Sequence, residues 1–328
     1  MVLVSSGSLS SRSCSLFLCI SIDCECDKGL RWQVQKPISF RGIWEGIQSS
    51  LQPLFEHYRA KPTYLLSPEV IQDEQSAEML MSLGKRAELG THLHGEWLDP
   101  NAFEPNETDT LQCEYTPEEE YLKLEGLTSL FSSTFSYRPT SFRAGRFGIG
   151  KHSLGFLERL GYMVDSSVTP FLDWSSIGGR TFKNAPTQPY YPSYQSPDHA
   201  LLAPQGEASI LEVPVTILPH PLMHIPWLGS ILESRLRARW LRPTWSSIRG
   251  LAHLAQDVIR RNQTLVPLRP IVLNAMFHNV EVVPGASPYA QNKREAKAVL
   301  RRLEELIRFA SYQQIPMIGL TDVRELWR

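Results

Sequence analysis

Short apolar runs rich in Leu, Ile, Val and Phe recur along this chain, separated by stretches of helical period, and most of the runs stop on an acid, an imidazole or an arginine. The expected strands are residues 15–23, 62–66, 87–92, 140–142, 161–164, 210–215, 270–277 and 315–320. Between them, residues 42–58, 77–83, 116–135, 150–160, 244–261 and 287–310 carry apolar positions at helical spacing. Ser67-Pro68, Thr116-Pro117 and Ser287-Pro288 read as helix starts. About eight short strands alternating with helices predict a mostly parallel sheet with its helices outside. Gly145 and Gly148 lack the spacing of a dinucleotide-binding loop. No change of composition marks a second domain. The expectation is a single α/β domain, a closed or nearly closed β/α barrel over residues 15–328. Residues 1–14 are expected to form a flexible leader, and loop insertions are expected at 95–116, 170–209 and 219–243.

Composition narrows the function classes. With 328 residues the chain can bury a large core, and its formal net charge of -1 offers no basic excess to recommend nucleic acid as a partner. The apolar run 16–22 is short and ends in acids. It reads as a buried strand, not as a signal peptide or a membrane span, which needs ~20 apolar residues. Five cysteines, with Cys24 and Cys26 alternating with Asp23, Glu25 and Asp27, make no disulfide framework. Reduced thiols in a cytoplasmic enzyme are the expectation.

The chemistry-bearing residues gather at strand ends. Asp23, Glu25, His92, His94, Arg143, Asp165 and His278 all fall at or just past the C-terminal end of an expected strand. In a β/α barrel those ends converge on one mouth. His92 and His94 stand at i and i+2 of an extended run, so both imidazoles can aim at one point, as metal ligands must. Taken singly, each has a structural reading: a turn acid, a hydrogen-bonded histidine, a surface ion pair. Their recurrence after strand upon strand favours a shared site.

These stretches resemble the polysaccharide deacetylases with a NodB-type homology domain, a distorted (β/α)7 barrel of metal-dependent carbohydrate N- and O-deacetylases. The resemblance covers roughly residues 15–325. Ser21-Ile22-Asp23-Cys24-Glu25-Cys26-Asp27 is similar to that family's first, acidic motif, and Glu88-Leu89-Gly90-Thr91-His92-Leu93-His94 to its metal-binding histidine motif. Ser141-Phe142-Arg143-Ala144-Gly145-Arg146-Phe147-Gly148 is similar to its arginine motif, Val164-Asp165-Ser166-Ser167 to its fourth and Phe277-His278 to its last. The stretch from His278 to Tyr289 resembles a branch associated with cell-surface polysaccharide gene clusters. The chain departs from the family pattern where Cys24 separates the acids, where the histidines lie two apart, and where Gly145-Arg146 replaces a proline.

The resemblance implies a divalent ion, with zinc expected, held by His92, His94 and one carboxylate. Asp23 is then the expected general base and Glu25 the carboxylate ligand. The two roles are exchangeable, and Glu96 stands in reserve as a ligand. Arg143 would pair with Asp23, His278 would protonate the leaving amine, and Asp165 would hold His278 or bind sugar hydroxyls. The expected reaction removes an acetyl group from an N-acetylated sugar in a surface polysaccharide or its precursor. The alternatives are a glycosidase or cyclic amide hydrolase on a related barrel, and a non-catalytic glycan-binding descendant. Trp97, Trp174, Tyr190, Tyr191 and Trp227 are expected either to stack on sugars or to anchor their loops. Arg235, Arg237, Arg239, Trp240 and Arg242 are expected either to form a solvated basic face or to meet anionic lipid headgroups or a lipid-linked glycan. The oligomeric state stays open.

Overall fold

The run Leu-Phe-Leu-Cys-Ile-Ser-Ile-Asp-Cys forms the strand β1 (Leu16–Cys24), and its period of two sorts the side chains. Leu18, Ile20, Ile22 and Cys24 join the large apolar core under the helices. Cys19 joins a separate cluster with Leu65, Val164, Leu211, Val213 and Val272, closed by Leu320 and Val323 of the last helix. Ser21 and Asp23 share the face of Cys19. That face is the inside of a curled sheet, apolar below and ionisable above.

The structure, a computed structural model, describes residues 15–98, 111–193, 196–200, 210–220, 238–263 and 269–327. The expected leader 1–14 lies outside the described residues, as do residues 99–110 of the expected insertion at 95–116, residues 194–195 and 201–209 of that at 170–209, and residues 221–237 of that at 219–243. So do Trp227, Arg235 and Arg237.

Among the described residues the main sheet has seven strands. After β1 come β2 (Thr63–Leu66), β3 (Glu88–Leu93), β4 (Ser141–Ala144), β5 (Val164–Asp165), β6 (Leu211–Glu212) and β7 (Ile271–His278). Their order is β7-β1-β2-β3-β4-β5-β6, and every pairing is parallel. With helices outside, this is the single-domain α/β architecture that the alternation predicts, a distorted (β/α)7-type barrel. Strands β6 and β7 form no ladder. Residues beyond β6 bridge the gap instead: the Thr216 N–H donates to Asn274 O (3.0 Å) and the Asn274 N–H to Thr216 Oγ1 (2.8 Å).

The expected strand at 315–320 is reduced to a bridge. The Leu18 N–H donates to Pro316 O and the Ile318 N–H to Leu18 O, both at 3.0 Å. Pairing between β1 and β2 begins only at Ser21, which leaves the edge of Leu18 free for this segment. Pro316 has no N–H to extend the ladder, and the helix Leu320–Leu326 starts directly after it.

Two expected helix starts shift. Thr244 does not cap the helix Ile248–Asn262. Ser247 does, its Oγ accepting from the Gly250 N–H at 3.0 Å. The long helix is Lys293–Tyr312, capped by Asn292, whose Oδ1 accepts from the Arg294 and Glu295 N–H groups. Ser287-Pro288 lies in the turn before it, where Gly285, with φ 73°, donates its N–H to Ala290 O. Among the described residues no helix is long and apolar enough to cross a membrane.

Candidate metal centre

Strand register brings the site together. In β1 and β7, Asp23 lies beside His278; in β3 and β4, His92 lies beside Arg143. Glu25 and His94 follow the ends of β1 and β3 on the same rim. All of these are buried except His278, which is slightly open to solvent.

Arg143 is fully enclosed, and every arm of its guanidinium is used. Nη1 donates to Asp23 Oδ1 (2.6 Å), Nη2 to Ser21 Oγ (2.7 Å) and Ser166 Oγ (2.9 Å), and Nε to Ser166 O (2.7 Å). Burial pushes the Asp23 carboxyl up. Arg143, then His92 and His278, outweigh this and hold it below the usual carboxylate range. Asp23 Oδ2 lies 4.0 Å from His92 Nε2 and 3.9 Å from His278 Nε2.

Glu25 is fixed from three sides. Its backbone is clamped by the Asn279 amide, which accepts from the Glu25 N–H (3.0 Å) and donates to Glu25 O (3.1 Å). Asn279 reaches this position because Gly42 and Gly46 pass against it: a Cβ on Gly42 would stand 2.5 Å from Asn279 Nδ2. Glu25 Oε2 pairs with the buried Lys28 Nζ at 2.8 Å. Against the penalty of burial, Lys28 and His94 hold the Glu25 carboxyl well below its ordinary range.

The remaining oxygen, Glu25 Oε1, faces three imidazoles. It lies 3.6 Å from His92 Nε2, 3.5 Å from His94 Nε2 and 3.6 Å from His278 Nε2. Each ring is held from behind through Nδ1: His92 by Arg143 O (3.0 Å), His94 by Glu96 Oε1 (3.0 Å) and His278 by Glu281 Oε1 (2.8 Å). A carbonyl oxygen only accepts, so His92 Nδ1 carries a proton and Nε2 is the ring atom left to face Glu25. Glu25, His92 and His94 offer ligand atoms within 4.8 Å of one another, a group able to hold a metal ion. The donor set fits such an ion: two imidazole nitrogens, one carboxylate oxygen, and a hydrogen-bonding support behind each ring. Burial lowers the pKa of His94, but Glu25 and Glu96 push it up to about 10, so a cation entering here displaces a proton.

Six of the seven residues marked by the sequence thus meet at one point: Asp23, Glu25, His92, His94, Arg143 and His278. Asp165 does not reach His278. It accepts from Ser167 Oγ at 2.6 Å, and Ser167 Oγ accepts from the Ala144 N–H at 2.9 Å, so Asp165 braces the end of β4. The place behind His278 belongs to Glu281, which Arg242 and the Thr244 hydroxyl also contact. Glu96 stands behind His94 and not beside Glu25. Lys28, Asn279 and Glu281 were not marked by sequence reasoning. The signal that finds two of them is spacing, since Lys28 follows Glu25 by three residues and Glu281 follows His278 by three.

Among the loop aromatics, Trp97 and Tyr190 are buried anchors. Trp174 donates to Thr169 Oγ1 at 2.9 Å and stacks on Phe147, while Tyr191 packs against the barrel-interior cluster. Arg239 pairs with Asp257 at 2.9 Å, and Arg242 is buried against Glu281, so neither stands as a free surface cation.

Sequence reasoning also missed Glu212, the β6 neighbour of Asp165. Both are fully buried, and Asp165 Oδ2 and Glu212 Oε2 have no donor among the described residues. Burial and then the Asp165 charge push Glu212 well above the glutamate range, and burial raises Asp165 as well. A proton shared by the pair accounts for both orphaned oxygens. The native protein then holds a proton that the unfolded chain releases near pH ~4.3. Stability therefore falls as pH rises from that value toward the raised Glu212 pKa, by about 1.4 kcal/mol per pH unit. Glu212→Gln is expected to flatten this slope by one proton in urea unfolding measured across pH. Equal slopes in the two proteins would exclude the shared proton.

No protein-family model and no curated protein matches the chain. Its fold is similar to solved structures. One, from Parabacteroides distasonis, is described as a glycoside hydrolase/deacetylase: TM-score 0.66, 12% identity, 96% of this chain and 71% of that one. A second, from Mycobacterium smegmatis, is described as a polysaccharide deacetylase: TM-score 0.54, 12% identity, 99% and 94% of the two chains. A third is the Puue allantoinase: TM-score 0.55, 11% identity, 95% and 90%. What is shared at these identities is the fold.

Proposed function

We propose that this protein is a metal-dependent hydrolase that removes an acetyl group from an N-acetylated sugar in a surface polysaccharide or its precursor. The observation that carries this reading is the convergence of His92 Nε2 and His94 Nε2 on Glu25 Oε1, flanked by the Asp23–Arg143 and His278–Glu281 pairs. Glu25, His92 and His94 would hold the ion, and zinc suits their imidazole and carboxylate donors. When bound, such an ion polarises the acyl oxygen and lowers the pKa of water from ~15.7 toward ~7.

Asp23, kept ionised and oriented by Arg143, takes the proton of the attacking water. His278, oriented by Glu281 through Nδ1, gives a proton from Nε2 to the leaving amine. Lys28 and Asn279 fix Glu25, and Asp165 is a positioning residue that acts through Ser167 on β4. The fold shared with proteins described as deacetylases and as an allantoinase supports hydrolysis of a carbon–nitrogen bond. The allantoinase likeness also favours, as a second reading, opening of a cyclic amide. Cys19, Cys24, Cys26 and Cys113 are free, which supports action in the reducing cytoplasm.

The test is metal removal and replacement. Chelated protein is expected to lose acetate release from N-acetylated oligosaccharides and to regain it with zinc. His94→Ala is expected to lower bound metal in elemental analysis. Full activity after chelation would end the metal-dependent reading, and ring opening of a cyclic amide without acetate release would favour the second. In the same assay His278→Ala is expected to cut turnover by ~10²-fold or more; turnover within a few fold of wild type would remove His278 from the proton transfer.

A further inference from the structure

The end of the barrel opposite the metal centre carries a cavity of about 490 Å³ that the hydrolytic site does not use. Its residues precede or begin β2, β3 and β4, or open the last helix, whereas Glu25, His94 and His278 end or follow their strands. Strand β3 runs between the two sites. Glu88 stands in the cavity wall and His92 lies four residues on, ~13 Å away at a strand rise of ~3.3 Å per residue. Two turns shape the opening. After the helix Glu74–Met81 the chain reverses through Gly84, φ 55°, where a side chain would meet nothing within 4 Å. After the helix Pro117–Phe135 it reverses at Ser136, φ 63°, and brings Tyr137 and Arg138 to the cavity wall.

One side of the cavity is apolar. Leu89 and Phe135 are buried behind it, while Met81 and Tyr137 are each 49% exposed. The Tyr137 ring is held edge-on to Phe131, with centroids 5.3 Å apart. A thioether and a fixed ring make a surface on which a flat or alkyl body packs. The polar side is unbalanced. Both acids are already taken: Asp322 accepts from Lys61 Nζ and the Gly319 N–H, each at 2.9 Å. Glu88 accepts from the Thr321 N–H at 3.0 Å and its hydroxyl at 2.7 Å. Lys85 and Arg138 are exposed, and neither has a hydrogen-bond or ion-pair partner among the described residues. Two unpaired cations beside an apolar wall complement an anionic head on an apolar body. The guanidinium fork suits a carboxylate, sulfonate or phosphate. The volume lies within the ~300–1,000 Å³ of small-ligand pockets.

We propose that this cavity is a second ligand site, which takes a small organic anion with its head at Lys85 and Arg138 and its apolar body over Tyr137 and Met81. Such binding is independent of hydrolysis at the metal centre.

The experiment titrates the full chain with anilinonaphthalene sulfonate, read by its fluorescence, and then displaces the probe with naphthoate, decanoate or inorganic phosphate. Saturable binding is expected, with displacement by naphthoate or decanoate and none by inorganic phosphate at the same concentration. Stronger displacement by naphthoate marks an aromatic body in the ligand, and stronger displacement by decanoate an alkyl one; either supports the site. Lys85→Gln/Arg138→Gln, which removes no native contact, is expected to weaken probe binding about tenfold or more. Met81→Ser is expected to weaken it by roughly a few fold through lost apolar area. His94→Ala, at the other end of the barrel, is expected to leave it unchanged. Wild-type affinity in the double variant overturns the site, as does loss of binding in His94→Ala, which would place the probe at the metal centre. Equal displacement by inorganic phosphate overturns the apolar half, and a probe that shows no saturable binding overturns the whole.

Discussion

Asp23→Asn is expected to slow acetate release by ~10²-fold or more, the contribution of a positioned general base, while the protein keeps its cation. The amide matches the carboxylate in shape, and its oxygen can still accept from Arg143 Nη1, now 2.6 Å from Asp23 Oδ1. It cannot take a proton. Glu25, His92 and His94 are untouched, so metal content by elemental analysis should equal that of wild type. Glu25→Gln is expected to behave differently: it weakens the acid that faces His92 and His94 at 3.6 and 3.5 Å, so turnover and bound metal fall together. The pair of variants separates base from ligand, roles that the sequence leaves exchangeable. Loss of metal in Asp23→Asn with retention in Glu25→Gln would exchange them. Unchanged turnover in both would remove the hydrolytic centre.

The inner wall of the barrel was legible because strand periodicity carries direction. The run to Asp23 alternates, so an acid at its end must face where Ser21 and Cys19 face. The same holds for His92 at the end of β3. His278 was legible as the polar stop on an apolar run. What periodicity does not encode is register across a sequence separation of 255, which sets Asp23 beside His278. The expected strands 161–164 and 210–215 shorten to Val164–Asp165 and Leu211–Glu212, the stretches that neighbours pair with. Glu212 was missed because it falls inside the expected strand 210–215, while the chemistry-bearing residues were sought at the C-terminal ends of strands. Glu281 and Lys28 were missed for another. Both act because a loop folds back by one turn, as in the segment Asn279–Val282 that returns Glu281 under His278. The Thr244 start failed through competition, because its hydroxyl is drawn to Glu281 and leaves the cap to Ser247.

The largest expected loss of stability comes from Arg143→Met. Methionine keeps much of the side-chain length, so the cost is electrostatic more than a matter of volume. Asp23, 2% exposed, is left ionised beside two imidazoles with its one guanidinium partner gone, and the Ser166 carbonyl loses the donor that Arg143 Nε supplied at 2.7 Å. Removing one member of a buried ion pair costs about 3–5 kcal/mol, a large share of the ~5–15 kcal/mol that holds a domain folded. Arg143→Lys is expected to fall between, because one ammonium replaces the charge but not the fork that reaches Asp23, Ser21 and Ser166 together. The double variant Asp23→Asn/Arg143→Met should be more stable than the sum of its single changes, because neither charge is then left alone. Urea unfolding of the four proteins checks this. A loss under ~1 kcal/mol for Arg143→Met, or strict additivity in the double variant, would mean that the pair is hydrated and that Asp23 does not depend on Arg143 for its charge.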